Sequence, residues 1–272
     1  MLMEEREILD KTLVLRIAYN GFGFCGFAEQ PQQRTVAGEL RRAIETFLRR
    51  EISLTCAGRT DSGVHAISQF VSVPITFEET NISKKRIEHA MNALLPDEIA
   101  VNGIFLAQQG FSARFDAVAR KYVYRIVTGP SRPVFLHEYA WYIPNKLDEA
   151  SMQQAATILI GEHDFKSFCK ASSAVGKPTH RYVSDISFSH SSHLGEETLE
   201  ITVCGNAFLH SMVRTIVGTL VEIGQGRRSV AWMEQVLLAA NRTAAGPCAP
   251  ACGLTFKDVM YQDDALHPWK VC

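Results

Sequence analysis

Between two apolar stretches the chain carries Cys56-Ala57-Gly58-Arg59-Thr60-Asp61-Ser62-Gly63-Val64-His65-Ala66, which gathers a carboxylate, a guanidinium and an imidazole in one glycine-bearing loop. A carboxylate so placed can transfer protons or attack an electrophile, and a neighbouring cation would keep it ionised. The same residues also suit a structural task, because Asp-Ser-Gly is a good turn sequence in which the aspartate caps the backbone. Residue types and spacing leave both readings open.

Three further groups could serve such a loop. Arg120-Lys121-Tyr122-Val123-Tyr124 sets two tyrosines on one face of a strand, where the rings pack a core or offer a flat surface to a planar ligand. Asn206-Ala207-Phe208-Leu209-His210-Ser211-Met212-Val213-Arg214 opens an apolar helical pattern expected over 207–223, with His210 and Arg214 four apart on a polar stripe. Periodicity alone leaves Arg214 a surface arginine. Gly21-Phe22-Gly23-Phe24-Cys25-Gly26 matches a dinucleotide-binding glycine pattern, but Pro31 intervenes and the first helical stripe begins only at Val36. The third glycine of a dinucleotide site lies inside the opening helix, which argues against a nicotinamide or flavin role.

Four motifs, in order along nearly the whole chain, resemble the TruA-type tRNA pseudouridine synthases. Gly58-Arg59-Thr60-Asp61-x-Gly63-Val64-His65 is similar to the family signature around its essential aspartate. Phe111-Ser112-Ala113-Arg114-Phe115 with Ala119 to Tyr124, Asn206 to Arg214 with Ile216-Val217-Gly218, and Ala245 to Leu254 resemble the later motifs. The family's opening motif persists in Gly21, Gly26, Gln30, Thr35 and Val36, while Asn20, Phe24, Phe27 and Ala28 depart from it. The resemblance implies isomerisation of uridine to pseudouridine in the anticodon stem and loop of tRNA, at positions 38, 39 or 40, without metal or cofactor. It implies that Asp61 acts as nucleophile or base and that Arg214 forms an ion pair with it. Tyr122 would stack on the extruded uracil, Leu254 would border its other side, and Arg59 would displace or hold the nucleotide. His65, Arg114 and Arg120 complete the implied substrate-binding set. Family members work as homodimers in which one tRNA touches both subunits, so a homodimer is expected. The alternative is a noncatalytic tRNA-binding protein on the same scaffold, to which the altered opening motif points.

These residues need elements to place them. A strand over 13–19, a helix capped by Thr35 with the stripe Val36, Leu40, Ala43, Ile44, Phe47 and Leu48, and strands over 52–56 and 69–73 lead to a helix capped by Ser83 and stopped by Pro96, then a strand over 99–106. That order is the ferredoxin-like βαββαβ unit. Strands over 120–127 and 139–143, a helix over 148–160, strands over 183–189 and 199–203, the helix over 207–223, a shorter one over 230–240 and a strand over 254–259 repeat the plan with insertions. The fold class is therefore α+β: two ferredoxin-like (RRM-like) domains with antiparallel sheets, a pseudouridine synthase fold, divided as 1–109, which carries the Asp61 loop, and 110–272, which completes the cleft. Residues 170–178 read as a polar loop, either a flap over a substrate or a disordered surface connection.

Composition sets the remaining bounds. With 272 residues, 46% hydrophobic and 21% charged, the chain can bury an ordinary core, and no uncharged apolar run is long enough to span a bilayer. Residues 1–11 lack the apolar segment of a secretion signal, and seven irregularly spaced cysteines suit reduced thiols, so a cytoplasmic protein is expected. Cys248 and Cys252 have no second pair of ligands beside them, which disfavours zinc. The formal net charge of −1 means that an RNA partner must be met by cations collected on one face.

Overall fold

Leu13, Leu15 and Ile17 alternate along the first strand, β1 (Leu9–Tyr19), and Val14 between them is equally buried, the pattern of a central strand covered on both faces. The computed structural model describes residues 9–269. After β1 comes α1 (Val36–Leu48), whose start is fixed by the Thr35 hydroxyl accepting from Gly38 N–H and whose buried stripe is Val36, Ala37, Leu40, Ala43 and Ile44. There follow β2 (Thr55–Cys56), β3 (His65–Thr76), α2 (Lys84–Leu94), capped by Ser83, and β4 (Ile99–Gln108). β1 pairs antiparallel with both β3 and β4, and β2 with β3, giving the order β4-β1-β3-β2. This is the ferredoxin-like arrangement that the element order implies.

The second half builds the same plan from longer strands. It comprises β5 (Ala117–Thr128), β6 (Trp141–Ile143), α3 (Glu149–Thr157), β7 (Gly161–Asp164), α4 (Ala171–Ala174), β8 (His180–His193), β9 (Glu196–Gly205), α5 (Met212–Gly224), α6 (Trp232–Ala239) and β10 (Leu254–Tyr261). The sheet runs β10-β5-β9-β8-β7, with β5, β9, β8 and β7 antiparallel in turn and β6 parallel beside β5. Removing β6, β7, α4 and α6 leaves β5-α3-β8-β9-α5-β10, again βαββαβ. α5 is almost wholly buried and packs tightly on α3, for a Cβ at Gly224 would lie 2.4 Å from Met152 Sδ.

The described residues separate into two compact units, 9–118 with 258–269, and 119–257. The sequence places the division at 109/110. It falls later because the turn at 111–114 is held in the first unit, where Ala113 N–H donates to Ser72 Oγ and Ala113 O accepts from the Tyr261 hydroxyl. Residues 258–269 return to the same unit: β11 (His267–Pro268) pairs with β4, and buried Trp269 donates its indole N–H to Ile82 O. The helix expected over 207–223 begins at Met212, because Ser211 takes a left-handed φ of 60° that interrupts any earlier turn. His210 thus precedes the helix and does not share a helical stripe with Arg214. Within the expected polar loop, residues 171–174 form the short α4.

Candidate active site

Residues 57–64 join β2 to β3 and carry Asp61, which is half-buried between exposed Arg59 and Ser62. The turn from Asp61 to Val64 is closed by the main chain, Val64 N–H donating to Asp61 O at 3.1 Å with Gly63 at φ 77°. Glycine supplies the left-handed conformation that this turn position demands, and the main-chain bond closes it.

Buried polar groups fix the base of the loop. The Gln69 side chain, fully buried on β3, accepts from Gly58 N–H at 3.3 Å and donates to Gly58 O. The Tyr19 hydroxyl and Thr60 Oγ1 share a 2.8 Å hydrogen bond, and burial pushes the Tyr19 phenol far above its ordinary range, so it stays protonated. On the other side, residues 20–27 lie against the loop main chain to main chain. A Cβ at Gly26 would stand 2.9 Å from Thr60 O and 3.3 Å from Ser62 N, and one at Gly21 only 2.1 Å from Val64 O. Phe27 N–H donates to Thr60 O at 3.1 Å and Ser62 Oγ to Phe24 O at 3.0 Å. Gly21 and Gly26, two of the three glycines that imitate a dinucleotide motif, are clearance for the Asp61 loop.

His65 is buried at the head of β3, where its Nδ1 accepts from Gly21 N–H at 3.1 Å. An accepting Nδ1 carries no proton, so neutral His65 holds its proton on Nε2, and the ring ties the loop exit to Gly21. Arg59 and Arg114 are both exposed in this first unit. Burial pushes the Cys56 thiol up to about 11, and the charges of Arg59 and Arg114 pull against that rise. The Arg114 guanidinium also lies over the exposed Phe115 ring, 5.4 Å from its centre.

The second unit holds the other residues singled out from the sequence. Tyr122 on β5 is buried edge-on between Phe208 and Phe256, with ring centroids 5.1 and 4.8 Å away. Leu254 is buried and shares a face of β10 with Phe256 by strand alternation. Arg120 is also buried, and its Nη1 donates to Asn206 O just beyond β9, so its guanidinium braces that turn. Arg214 stands in the first turn of α5, with Nε donating to Ala249 O at 2.8 Å while its own carbonyl accepts from Ala249 N–H at 3.1 Å. Asp61, His65, Arg59 and Arg114 thus belong to one unit, and Tyr122, Arg120, Arg214 and Leu254 to the other.

Sequence reasoning missed the residues that immobilise the Asp61 loop: Tyr19, Thr60, Gln69, Gly21 and Gly26. A glutamine inside an apolar strand was the available signal, since a buried amide must find partners. The glycine spacing was a second signal, visible but with its partner loop unknown.

The sequence profile of the family described as tRNA pseudouridine synthase matches residues 16–116 and 155–262, a span that includes Arg59, Asp61, His65, Arg114, Arg214 and Leu254 but not Arg120 or Tyr122. A tRNA pseudouridine synthase A of Brevibacillus brevis is 41% identical over 251 residues, covering 92% of this chain and all of the relative. Enzymes of the same name from Geobacillus sp. and Caldicellulosiruptor bescii are 37% and 35% identical, covering 94% and 92% of this chain and the whole of each relative. With the Asp61 loop and α5 both inside the matched span, the chain belongs to the tRNA pseudouridine synthase family, isomerases that act on uridine in tRNA.

Proposed function

We propose that this protein isomerises uridine to pseudouridine at positions 38 to 40 of the tRNA anticodon stem and loop, with Asp61 as the reacting carboxylate. The observation that carries this reading is the immobilised Asp61 loop, whose turn closes through its main chain and whose backbone is clamped by residues 19–27 and Gln69. A carboxylate held in this way is pre-organised for one geometry. Asp61 adds to base or sugar as a nucleophile, or takes a proton from the ribose; both routes require the ionised form. Arg214 supplies the cation that favours that form. Tyr122 offers its ring to the extruded uracil, replacing stacking worth roughly 1 to 3 kcal/mol per base, and Leu254 bounds the base opposite. Arg59 and Arg114, both exposed in the unit that carries Asp61, hold phosphates of the flanking strand. The working protein is a homodimer, which spreads the cationic surface needed by tRNA over two nearly neutral chains.

Forming the carbon glycoside expels hydrogen from C5 of uracil, so tritium release from transcribed tRNA labelled at that carbon reads the reaction directly. The expected result is release by the natural protein and none by Asp61→Ala. Release that persists in Asp61→Ala, or tRNA binding without release by the natural protein, would overturn the assignment, the latter in favour of a noncatalytic binder.

A further inference from the structure

Tyr124 is wholly buried one strand alternation beyond Tyr122, and its hydroxyl donates to Pro250 O at 2.8 Å. Burial pushes its phenol far above the ordinary range, so it remains a donor at neutral pH, and the charge of Arg214 is felt at the same oxygen. The segment it grips is the one that holds Arg214. Ala249, the residue before Pro250, gives its carbonyl to Arg214 Nε and its N–H to Arg214 O.

The rest of that segment is docked on α5 with no clearance. A Cβ at Gly218 would lie 1.8 Å from Pro247 O, and one at Gly246 would lie 2.8 Å from Thr219 Cα. Gly246 N–H donates to Thr219 Oγ1 at 3.0 Å. Residues 246–250 therefore run along α5 from Thr219 back to Arg214, and Tyr124 fastens their far end to β5. Gly253 must also lack a side chain, since a Cβ there would fall 2.5 Å from the Tyr124 ring. Ring and hydroxyl thus have separate neighbours: the ring fills the space at Gly253 and beside Trp141, while the hydroxyl holds a carbonyl.

We propose that Tyr124 is a positioning residue for Arg214: by holding Pro250 O it fixes the adjoining Ala249 carbonyl, and that carbonyl sets the direction of the guanidinium through Nε. A planar guanidinium moves as a rigid fork, so anchoring Nε determines where both terminal nitrogens point. The proposal rests on the reading of Arg214 as part of the reacting site.

The test is Tyr124→Phe, which keeps the ring, combined with Arg214→Lys, which keeps a charge but cannot reproduce the Nε bond. Single-turnover tritium release is measured for each single variant and for the pair. Tyr124→Phe is expected to lower the maximal rate roughly tenfold with KM within about twofold, the scale of a lost hydrogen bond behind a catalytic group. In the Arg214→Lys background the same change is expected to cost nothing further, a non-additivity that a general loss of stability does not produce. Full rate in Tyr124→Phe, or an equal loss in both backgrounds, overturns the inference while leaving Arg214 in place. Full rate in Arg214→Lys removes the reading beneath it instead.

Discussion

Gly26→Ala tests whether the main chain of residues 20–27 sets the position of Asp61. Gly26 sits at φ 88°, which costs an alanine about 1 to 2 kcal/mol. The new Cβ would lie 2.9 Å from Thr60 O, whereas ordinary contact begins at 3.4 Å, so the peptide before Asp61 must retreat by about 0.5 Å. Since about 1 Å of misplacement can cost a hundredfold in rate, the expected loss is about tenfold in kcat. The strain alone should lower Tm by roughly 2 to 8 °C. Gly23→Ala supplies the control, because Gly23 has a similar φ of 81° but its Cβ would meet only Arg34 Nη1 at 3.8 Å. It should match the Tm loss and keep its turnover. Tritium release and thermal melts on both variants decide the matter; equal turnover in Gly26→Ala and Gly23→Ala would refute the idea that this segment places the carboxylate.

Two further outcomes are expected. Burial of Glu200 would raise its carboxyl, but the hydrogen bond from His193 and the charge of Arg125 outweigh that and hold it below the usual range. Its contribution is then present above the unfolded value near 4.5 and is lost as pH falls through the lower folded value, so Glu200→Gln should reduce stability at pH 7 more than at pH 3, as read by urea midpoints. Alkylation at pH 8 should label exposed Cys248 and spare Cys56, whose thiol is held at about 11; early adducts on Cys56 in a peptide map would contradict that.

The sequence disclosed the parts of this fold that depend on local periodicity and capping. Thr35 and Ser83 cap the helices expected of them, and the two βαββαβ units appear in order. It disclosed less where long-range contacts decide. Ser211 adopts a left-handed conformation inside what reads as helical sequence, and nothing local in Phe208 to Met212 demands it. The unit boundary falls after the turn at 111–114 because Tyr261, far along the chain, donates its hydroxyl to Ala113 O while Ser72 Oγ accepts from Ala113 N–H. At the site, the motif around Asp61 was legible in the sequence, but the contacts that hold its loop were not. Gly21 and Gly26 are meaningful only beside Thr60 and Val64, which lie about forty residues away. The placement of Arg120 likewise depends on Asn206, which lies just beyond the neighbouring strand and far along the chain.

The return of residues 258–269 to the first unit bears on the order in which the chain can be completed. During synthesis from the N-terminus, 119–257 is continuous and is finished first, whereas the unit that carries Asp61 lacks an edge until its last segment emerges. Until then β4 has no β11 beside it, Ile82 O has no indole to accept from, and Phe70 lacks the Tyr261 ring that meets it at 5.5 Å. The nascent protein therefore holds its tyrosine-bearing half ready while its aspartate-bearing half still shows an unpaired strand, the kind of surface that chaperones cover.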